Sequence, residues 1–338
     1  MTTRIAINGF GRIGRSFFKL ARKKEELEIV AINDLAPIDN IAYLLSYDSV
    51  YGRYEEEVSH TDEALVVGGD SIPYLSEPKP GELPWGDMDI DVVIESTGVF
   101  DGYEKSRPHI EAGAKKVVIS APVKDAPQDD IPGATVLMGV NEEKLSTCTI
   151  SANASCTTNA AGPLMAIIRD SLGIEKALLN TVHGYTASQN LIDSPNEKRR
   201  RGRAAAQNIV PSSTGAAIAT TKAVEGVDAF DGISLRVPVV VGSIVDITFL
   251  TSKETTAEEV NDILRKAAEE ERWQGIFSVT EEDIVSTDII GNTYASIADL
   301  QMTRVVGGNL VKVLSWYDNE MGYTNTLVKH VIKTSQSI

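Results

Sequence analysis

The feature that most constrains the fold is a glycine-rich stretch near the N-terminus. Residues 9 to 14 read G-F-G-R-I-G, after an apolar strand-like run, Arg4 to Asn8, and before a helical pattern, Arg15 to Lys24. Glycines at this spacing permit a tight turn and let the backbone approach a pyrophosphate, which then lies on the helix N-terminus. The next strand ends at Asp34, 20 residues after Gly14, where a carboxylate can accept hydrogen bonds from a ribose. A plain tight turn is the alternative, but the order of strand, glycines, helix and acid predicts a Rossmann-type dinucleotide-binding domain.

Two further strands also end in small polar residues. The apolar runs Asp89 to Glu95 and Lys116 to Ile119 are followed by Thr97 and Ser120. Ligands of an open parallel sheet lie beyond the carboxyl ends of its strands, so these two residues are candidates to line the cofactor crevice. Their alternative role is to cap the next helix. The cofactor-binding candidates on the residues alone are Asn8, Gly9, Gly11, Gly14, Asp34, Thr97 and Ser120.

Length and charge exclude several classes of protein. A chain of 338 residues is long enough for two domains, each with its own core. A net charge of −16 disfavours nucleic-acid and anionic-membrane partners, because both require a cationic surface. The two cysteines do not suggest a disulfide framework, and no spacing typical of a metal site is present. The sequence has the pattern of neither a signal peptide nor a membrane-spanning stretch, so we expect a cytoplasmic protein.

Cys156 lies where a strand should hand over to a helix. A β-branched run, Thr147 to Ile150, precedes it, and a helical pattern, Ala160 to Leu172, follows. A helix N-terminus lowers the pKa of a cysteine, so the sequence predicts a reactive thiolate. Burial as a small apolar side chain is the alternative. The hydroxyls of Ser155 and Thr157 favour a polar, anion-binding setting, and Cys156 is therefore the candidate nucleophile.

His183 is the candidate general base. The chain has four histidines, and this one follows the strand-like run Ala177 to Val182, whereas the others fall in a hairpin or in helices. A structural, hydrogen-bonded histidine is the alternative. Strands rich in apolar residues from Leu235 to Leu250 and from Asn309 to Tyr317, with one helix between them, indicate a mixed or antiparallel sheet in this half of the chain.

Three features of the second half suit an anionic ligand. Lys198 to Arg203 is the only dense positive cluster in this acidic chain, although such runs are often merely solvated. Pro211 to Gly215 brings hydroxyl groups to the start of a predicted helix. Arg236 lies inside an apolar strand, where a charge needs a partner or a ligand.

Taken together, these motifs resemble the phosphorylating glyceraldehyde-3-phosphate dehydrogenase family over essentially the whole chain. The resemblance is carried by Asn8 to Gly14, Tyr47 to Arg53, Ser155 to Asn159, His183 to Thr186, Ala204 to Ala217 and Ser315 to Glu320. It implies that Cys156 is the catalytic thiolate and His183 its base. It implies a phosphate-facing group made of Ser155, Thr157, Thr186, Arg203, Thr214, Gly215 and Arg236. It implies cofactor contacts at Arg12, Ile13, Asp34, Ser120 and Asn319.

The resemblance also implies an activity and an assembly. The activity is oxidation of a phosphorylated aldehyde with NAD, NADP being less favoured, and inorganic phosphate, in a homotetramer. Residues 1–155 and 321–338 would form the NAD-binding domain, and residues 156–320 the catalytic domain. Erythrose-4-phosphate dehydrogenase is the nearest alternative, and a cysteine hydrolase or a non-catalytic binding protein leaves part of the pattern unexplained. Three positions depart from the family's usual pattern, Ala160, Ser188 and Met321.

Overall fold

The computed structural model describes residues 2–338. Its strands are β1 (Thr3–Asn8), β2 (Leu27–Asn33), β3 (Tyr47–Asp48), β4 (Gly52–Arg53), β5 (Val58–His60), β6 (Ala64–Val67), β7 (Asp70–Leu75), β8 (Val92–Glu95), β9 (Lys116–Ile119), β10 (Gly133–Thr135), β11 (Ile150–Ala152), β12 (Ile174–Gly184), β13 (Val210–Ser213), β14 (Phe230–Val237), β15 (Ser243–Thr251), β16 (Phe277–Thr280), β17 (Ser296–Val306) and β18 (Leu310–Tyr317). Its α-helices are α1 (Arg12–Ala21), α2 (Ile38–Ser46), α3 (Tyr103–Glu111), α4 (Cys156–Leu172), α5 (Ala216–Ala223), α6 (Ala257–Glu269) and α7 (Met321–Ser335).

The chain forms two compact units. The first comprises the chain up to Met138 together with Glu142–Ala154 and Thr324–Ile338, and the second comprises Gly139–Asn141 and Ser155–Tyr323. The sequence placed its domain boundaries after residues 155 and 320. In both divisions the chain returns to the first unit through its C-terminal helix.

The first unit is built on a sheet that is parallel over most of its width. Its strand order is β10-β11-β9-β8-β1-β2-β7-β6-β5. The pairs from β10 to β7 are all parallel, and β5, β6 and β7 pair antiparallel as hairpins. Because β7 pairs with β2 at Ile32 and Asn33, the hairpins extend the sheet itself. The predicted Rossmann-type α/β fold is confirmed.

The centre of this sheet creates the crevice that the sequence predicted. β1 pairs with β2 on one side and with β8 on the other, so the loops that follow β1 and β8 leave the same edge. Ile5, Ile7 and Val93 are fully buried along these strands. Burial on both faces explains why the strands read as continuous apolar runs instead of alternating ones. The glycine turn and Thr97 therefore emerge at adjacent strand ends, where ligands of such sheets bind.

The second unit contains the predicted mixed sheet. Its order is β13-β14-β12-β15-β18-β17-β16, in which β12 pairs parallel with β14 and antiparallel with β15. This register sets His183 opposite Arg236 at one end of the sheet. α4, the longest helix of the described chain with 17 residues, begins at Cys156 and belongs to the same unit. No helix within residues 2–338 is both long and apolar enough to cross a lipid bilayer.

Candidate active site

The start of α4 presents Cys156 at a capped helix terminus. The Ser155 hydroxyl accepts a hydrogen bond from the Thr158 N–H at 3.1 Å, which fixes the first turn. Ala154 just before it has φ 56°, the left-handed region that an alanine rarely adopts. The preceding strand begins at Ile150, not at Thr147 as the sequence predicted, because Thr147 closes a turn with Lys144.

Cys156 and His183 form a direct pair. The Cys156 Sγ lies 3.3 Å from the His183 Nε2, and the His183 Nδ1 lies 2.6 Å from the Gly184 carbonyl oxygen. A contact that short to a carbonyl requires Nδ1 to carry the proton, so Nε2 is the free acceptor that faces the thiol. The Arg236 Nη1 donates to the same carbonyl at 3.2 Å. The geometry is that of a thiol hydrogen-bonded to a base.

The pKa shifts of the pair oppose the thiolate that the sequence predicts. Burial raises the pKa of the Cys156 thiol, against the opposing effects of Arg236 and the hydrogen bonds from Thr157. Burial, followed by the charge of Arg236, lowers the pKa of His183 to about 3. Both shifts disfavour, in the unliganded chain, the thiolate that the sequence predicts, because removal from water opposes the attraction of the helix terminus. They favour a neutral thiol beside a neutral imidazole.

The raised pKa of Cys156 predicts how the reactivity of its thiol changes with pH. We expect alkylation of Cys156 by iodoacetamide to accelerate as pH rises through and beyond the ordinary thiol range, because the raised pKa keeps the sulfur protonated near neutrality. The measurement is the alkylation rate from about pH 5 to about pH 10, made on a Cys148→Ser background so that one thiol reports. A plateau below about pH 7 would show that the helix terminus outweighs burial.

An anion pocket adjoins this pair within the second unit. The Arg236 Nη1 donates to the Thr186 Oγ1 at 3.4 Å, and the Arg236 Nε is buried without a hydrogen-bond partner among the described residues. The Thr186 Oγ1 lies 3.0 Å from the Ser188 Oγ, which accepts from the Arg201 Nη1 at 2.9 Å. The Arg201 Nε donates to the Ser212 Oγ, also at 2.9 Å. Two cations and several hydroxyls thus converge beside His183, as phosphate binding requires.

Two arginines of the basic run have different surroundings in the structure. The Arg203 Nε pairs with the Asp193 Oδ2 at 2.8 Å, and both side chains are exposed. Arg201 is half-buried, and burial, followed by the nearby charge of Arg236, lowers its pKa. The sequence run contains both residues, and its spacing alone could not tell them apart. The short turn Arg199–Gly202 directs Arg201 to the site and leaves Arg203 to hold the loop.

The other residues predicted to face a phosphate lie at the starts of two helices. Ser155 caps α4, whereas the Thr157 Oγ1 lies 3.0 Å from the Tyr317 hydroxyl in the buried interior, so its hydroxyl is already engaged. Thr214 accepts from the Ala216 N–H at 3.1 Å, and Gly215 precedes α5. Sequence reasoning assigned no role to Tyr317, whose ring lies edge-on to His183 at 5.9 Å between centroids. Tyr317 lies within Ser315 to Glu320, one of the stretches that carry the family resemblance. No other feature of the sequence pointed to this residue.

The glycine turn of the first unit is packed as a cofactor cradle. Gly9 has φ 93°, and a Cβ there would lie 2.5 Å from the Thr97 backbone nitrogen. A Cβ on Gly14 would lie 2.2 Å from the Gly9 carbonyl oxygen. The Asp34 carboxylate accepts from the Phe10 N–H at 2.6 Å and from the Ala36 N–H at 2.9 Å, and so faces the same turn. Only glycine fits at these two positions, where the first makes the tight turn and the other lets α1 pack closely against it. Gly11 between them has nothing within 4 Å of a Cβ position, which leaves space for a pyrophosphate.

A cavity of about 330 Å³ opens on this cradle. It is lined by Asn8, Gly9, Gly11, Asn33, Asp34, Leu35, Glu77, Pro78, Ser96, Thr97, Val99 and Phe100. Five predicted cofactor residues are among these, namely Asn8, Gly9, Gly11, Asp34 and Thr97. The residues present therefore fit the adenosine and pyrophosphate parts of a dinucleotide.

The other predicted cofactor residues lie outside that lining. Arg12 pairs with Asp48 at 3.3 Å, Ile13 follows it in α1, and the Ser120 N–H donates to the Glu95 carbonyl oxygen at 2.8 Å. Asn319 belongs to the second unit, where its Oδ1 accepts from the Gly242 N–H at 3.1 Å and from the Ser243 hydroxyl at 3.0 Å.

Comparison with protein families now decides the identity. Residues 3–103 match the model described as glyceraldehyde 3-phosphate dehydrogenase, NAD binding domain, and residues 155–319 match its C-terminal domain. The chain belongs to the glyceraldehyde-3-phosphate dehydrogenase family. The resemblance stated from the motifs is thereby confirmed, and the cradle around Gly9 falls within the matched NAD binding domain.

Relatives in the glyceraldehyde-3-phosphate dehydrogenase family match over nearly their whole length. Glyceraldehyde-3-phosphate dehydrogenase 2 of Streptomyces avermitilis is 46% identical over 332 residues, 97% of each chain. The glyceraldehyde-3-phosphate dehydrogenase of Thermotoga maritima is 48% identical over 329 residues, 96% of this chain and 97% of the relative. Glyceraldehyde-3-phosphate dehydrogenase 1 of Candida glabrata is 45% identical over 338 residues, 99% of each. The similarity thus covers both units.

Proposed function

We propose that this member of the family oxidises D-glyceraldehyde 3-phosphate to 1,3-bisphosphoglycerate with NAD and inorganic phosphate. The observation that carries the proposal is the Cys156–His183 pair beside the pocket of Arg201 and Arg236. The names of the relatives and the NAD binding domain match support the same activity. A hydrolase would need the thiol and the base but no dinucleotide cradle.

The first step joins Cys156 to the aldehyde. The Cys156 sulfur adds to the carbonyl carbon while its proton passes to the His183 Nε2, which lies 3.3 Å away. The resulting thiohemiacetal oxygen is stabilised by N–H groups at the start of α4 and by the protonated imidazole. NAD, when bound, supplies the hydride acceptor for the oxidation. His183 keeps the proton taken from the thiol while the oxyanion forms the carbonyl again and hydride leaves the carbon, which gives a Cys156 thioester.

The second step releases the product. Inorganic phosphate, held by arginine and hydroxyl groups, attacks the thioester carbon, and the Cys156 sulfur leaves as the acyl phosphate forms. The charge of an entering phosphate also affects the base, because the nearby charge of Arg236 contributes to the lowered pKa of His183. A dianion at this arginine offsets that charge and raises the basicity of His183 when substrate is present.

One assay tests this reaction against its nearest alternative. We expect absorbance at the reduced-nicotinamide band to grow with glyceraldehyde 3-phosphate and NAD only when inorganic phosphate is supplied for turnover. Erythrose 4-phosphate, run in parallel, should be the poorer substrate. Turnover that is independent of phosphate and faster with erythrose 4-phosphate would replace the proposal with erythrose-4-phosphate dehydrogenase.

Arg201 and Arg203 provide a matched pair of variants. We expect Arg201→Ala to lower kcat/KM about tenfold to hundredfold, since it removes a cation that can make charge-assisted hydrogen bonds to phosphate. Arg203→Ala should change it less than about threefold, because an exposed ion pair contributes ~0–1 kcal/mol. Steady-state kinetics with varied substrate and phosphate give both values. A larger loss in Arg203→Ala would restore the sequence assignment.

The cofactor cavity favours NAD over NADP. Its lining contains Asp34 and Glu77 and neither lysine nor arginine among the described residues, so a 2′-phosphate would meet like charge. We expect a higher catalytic efficiency with NAD, and we expect Asp34→Ala to narrow the difference. Asp39→Ala, an exposed acid of α2 outside the cavity, is the control. A preference for NADP in the unaltered chain would contradict the assignment of Asp34.

We further propose the cofactor contacts of Arg12, Ile13, Ser120 and Asn319 that the family resemblance implies. Asn319 is the candidate for the nicotinamide amide, and the two donors to its Oδ1 fix the direction of its NH₂ group.

We also propose a homotetramer, supported by the apolar side chains of Leu191, Ile192 and Ile209, which are strongly exposed in the single chain. Light scattering on the purified chain tests the assembly, and a monomer would refute it.

A further inference from the structure

A buried carboxylate lies directly beneath the cofactor cavity. Glu95 ends β8 with 2% exposure, and its Oε1 accepts from the Thr97 N–H at 2.8 Å and from the Thr97 hydroxyl. Its Oε2 accepts from the Asn8 Nδ2 at 2.5 Å and lies 3.1 Å from the His109 Nε2. A carboxylate in this position is satisfied by four donors, two of which belong to Thr97 in the cavity wall.

The protonation of His109 follows from its other neighbour. The Trp85 Nε1, which can only donate, lies 2.9 Å from the His109 Nδ1, so Nδ1 must be the acceptor. The ring proton is therefore on Nε2, where it points at Glu95. Trp85 and His109 are fully buried and do not line the cavity. They act on the cavity only through Glu95 and its partners.

The same hydrogen bonds continue across the neighbouring strand ends. The Asn8 Oδ1 accepts from the Asn33 Nδ2 at 2.7 Å, and the Asn33 side chain also binds both backbone groups of Glu77. On the other side, the Ser96 hydroxyl donates to the Gly9 carbonyl oxygen at 2.7 Å. The network thus joins the ends of β8, β1 and β2 to the segment after β7, and Asn8, Asn33, Glu77, Ser96 and Thr97 of this network line the cavity.

We propose that Glu95, held by His109, is a positioning residue for the adenylate half of the cofactor. Its charge orders Asn8 and Thr97, and through them sets the width of the cavity beside the glycine turn. The inference rests on the proposed use of this cavity for NAD, and it deepens that proposal by naming the buried group that shapes it. A group of this kind should affect cofactor affinity without affecting the bond-making steps at Cys156.

The test measures binding of NAD and of AMP to the full chain by titration calorimetry, with steady-state kinetics alongside. Glu95→Gln places an NH₂ group where one oxygen faced two donors, so we expect both dissociation constants to rise about tenfold. KM for NAD should rise equally, whereas kcat at saturating NAD should change less than about threefold. Glu56→Gln is the matched control, because this carboxylate of the same unit accepts three hydrogen bonds but lies outside the cavity lining.

A second pair of variants keeps the test decisive if Glu95→Gln does not fold. His109→Leu removes the donor to Glu95 and should weaken AMP binding, whereas His109→Gln retains an N–H at that position and should bind nearly as the unaltered chain does. Equal AMP affinity in these two variants, or unchanged affinity in a folded Glu95→Gln, would overturn the positioning role. If the unaltered chain bound neither NAD nor AMP, the proposed function itself would fail.

Discussion

Cys156→Ser should abolish aldehyde oxidation, with a loss on the order of 10⁴-fold or more in turnover. The serine hydroxyl can still donate to the His183 Nε2, but an alcohol loses its proton far less readily than a thiol and is a weaker nucleophile. The ester that it would form also reacts with phosphate more slowly than a thioester. The measurement is the stopped-flow burst of reduced nicotinamide, which reports the steps before phosphate attack.

Two controls isolate the role of this sulfur. NAD affinity should be unchanged in Cys156→Ser, because the cavity beside the glycine turn belongs to the first unit. Cys148→Ser should be nearly silent, since Cys148 is buried in the first unit and burial raises the pKa of its thiol. Equal losses from both substitutions would refute Cys156 as the sole nucleophile.

His183→Asn should lower the rate of the oxidation burst by roughly 10²- to 10⁴-fold, the usual contribution of a general base. Asparagine has a similar size and can accept a hydrogen bond, but it cannot take the thiol proton as the sulfur attacks. The proton would have to leave through water, from a site in which His183 is only 3% exposed. Burst kinetics at saturating substrate measure the loss, and a loss below about tenfold would remove His183 from that role.

The same variant separates two pictures of the resting site. Because the lowered pKa keeps His183 uncharged near neutral pH, His183→Asn should leave the pH midpoint of Cys156 alkylation nearly unchanged in the unliganded chain. If His183 were instead a cation beside the sulfur, its removal would raise that pH midpoint. That shift, if observed, would show that a thiolate and an imidazolium form before substrate binds.

Local patterns made the fold class predictable. The first strand, the glycine turn, the first helix and the acid that ends the second strand lie within about 30 residues of one another. Because these features are close in the sequence, their order alone predicts the fold of this region. The mixed sheet of the second unit also followed from the long apolar strands. The hairpins of residues 58–75 join the main sheet through β7, and this pairing is set by residues distant in the sequence.

The sequence by itself was enough to predict which cysteine is the candidate nucleophile and which histidine is the candidate base. Cys156 lies at the start of a helix and His183 near the end of a strand. The residues next to them in the sequence predict both positions. Only the tertiary structure shows that Arg201 lies beside Ser188 and Ser212. It also shows that Arg203 pairs with Asp193. It also shifts the pKa values of Cys156 and His183 in the directions that favour their neutral forms. Burial is a property of the packed chain, and the pairing of β12 with β14 brings Arg236 beside a histidine 53 residues away, which no local pattern records.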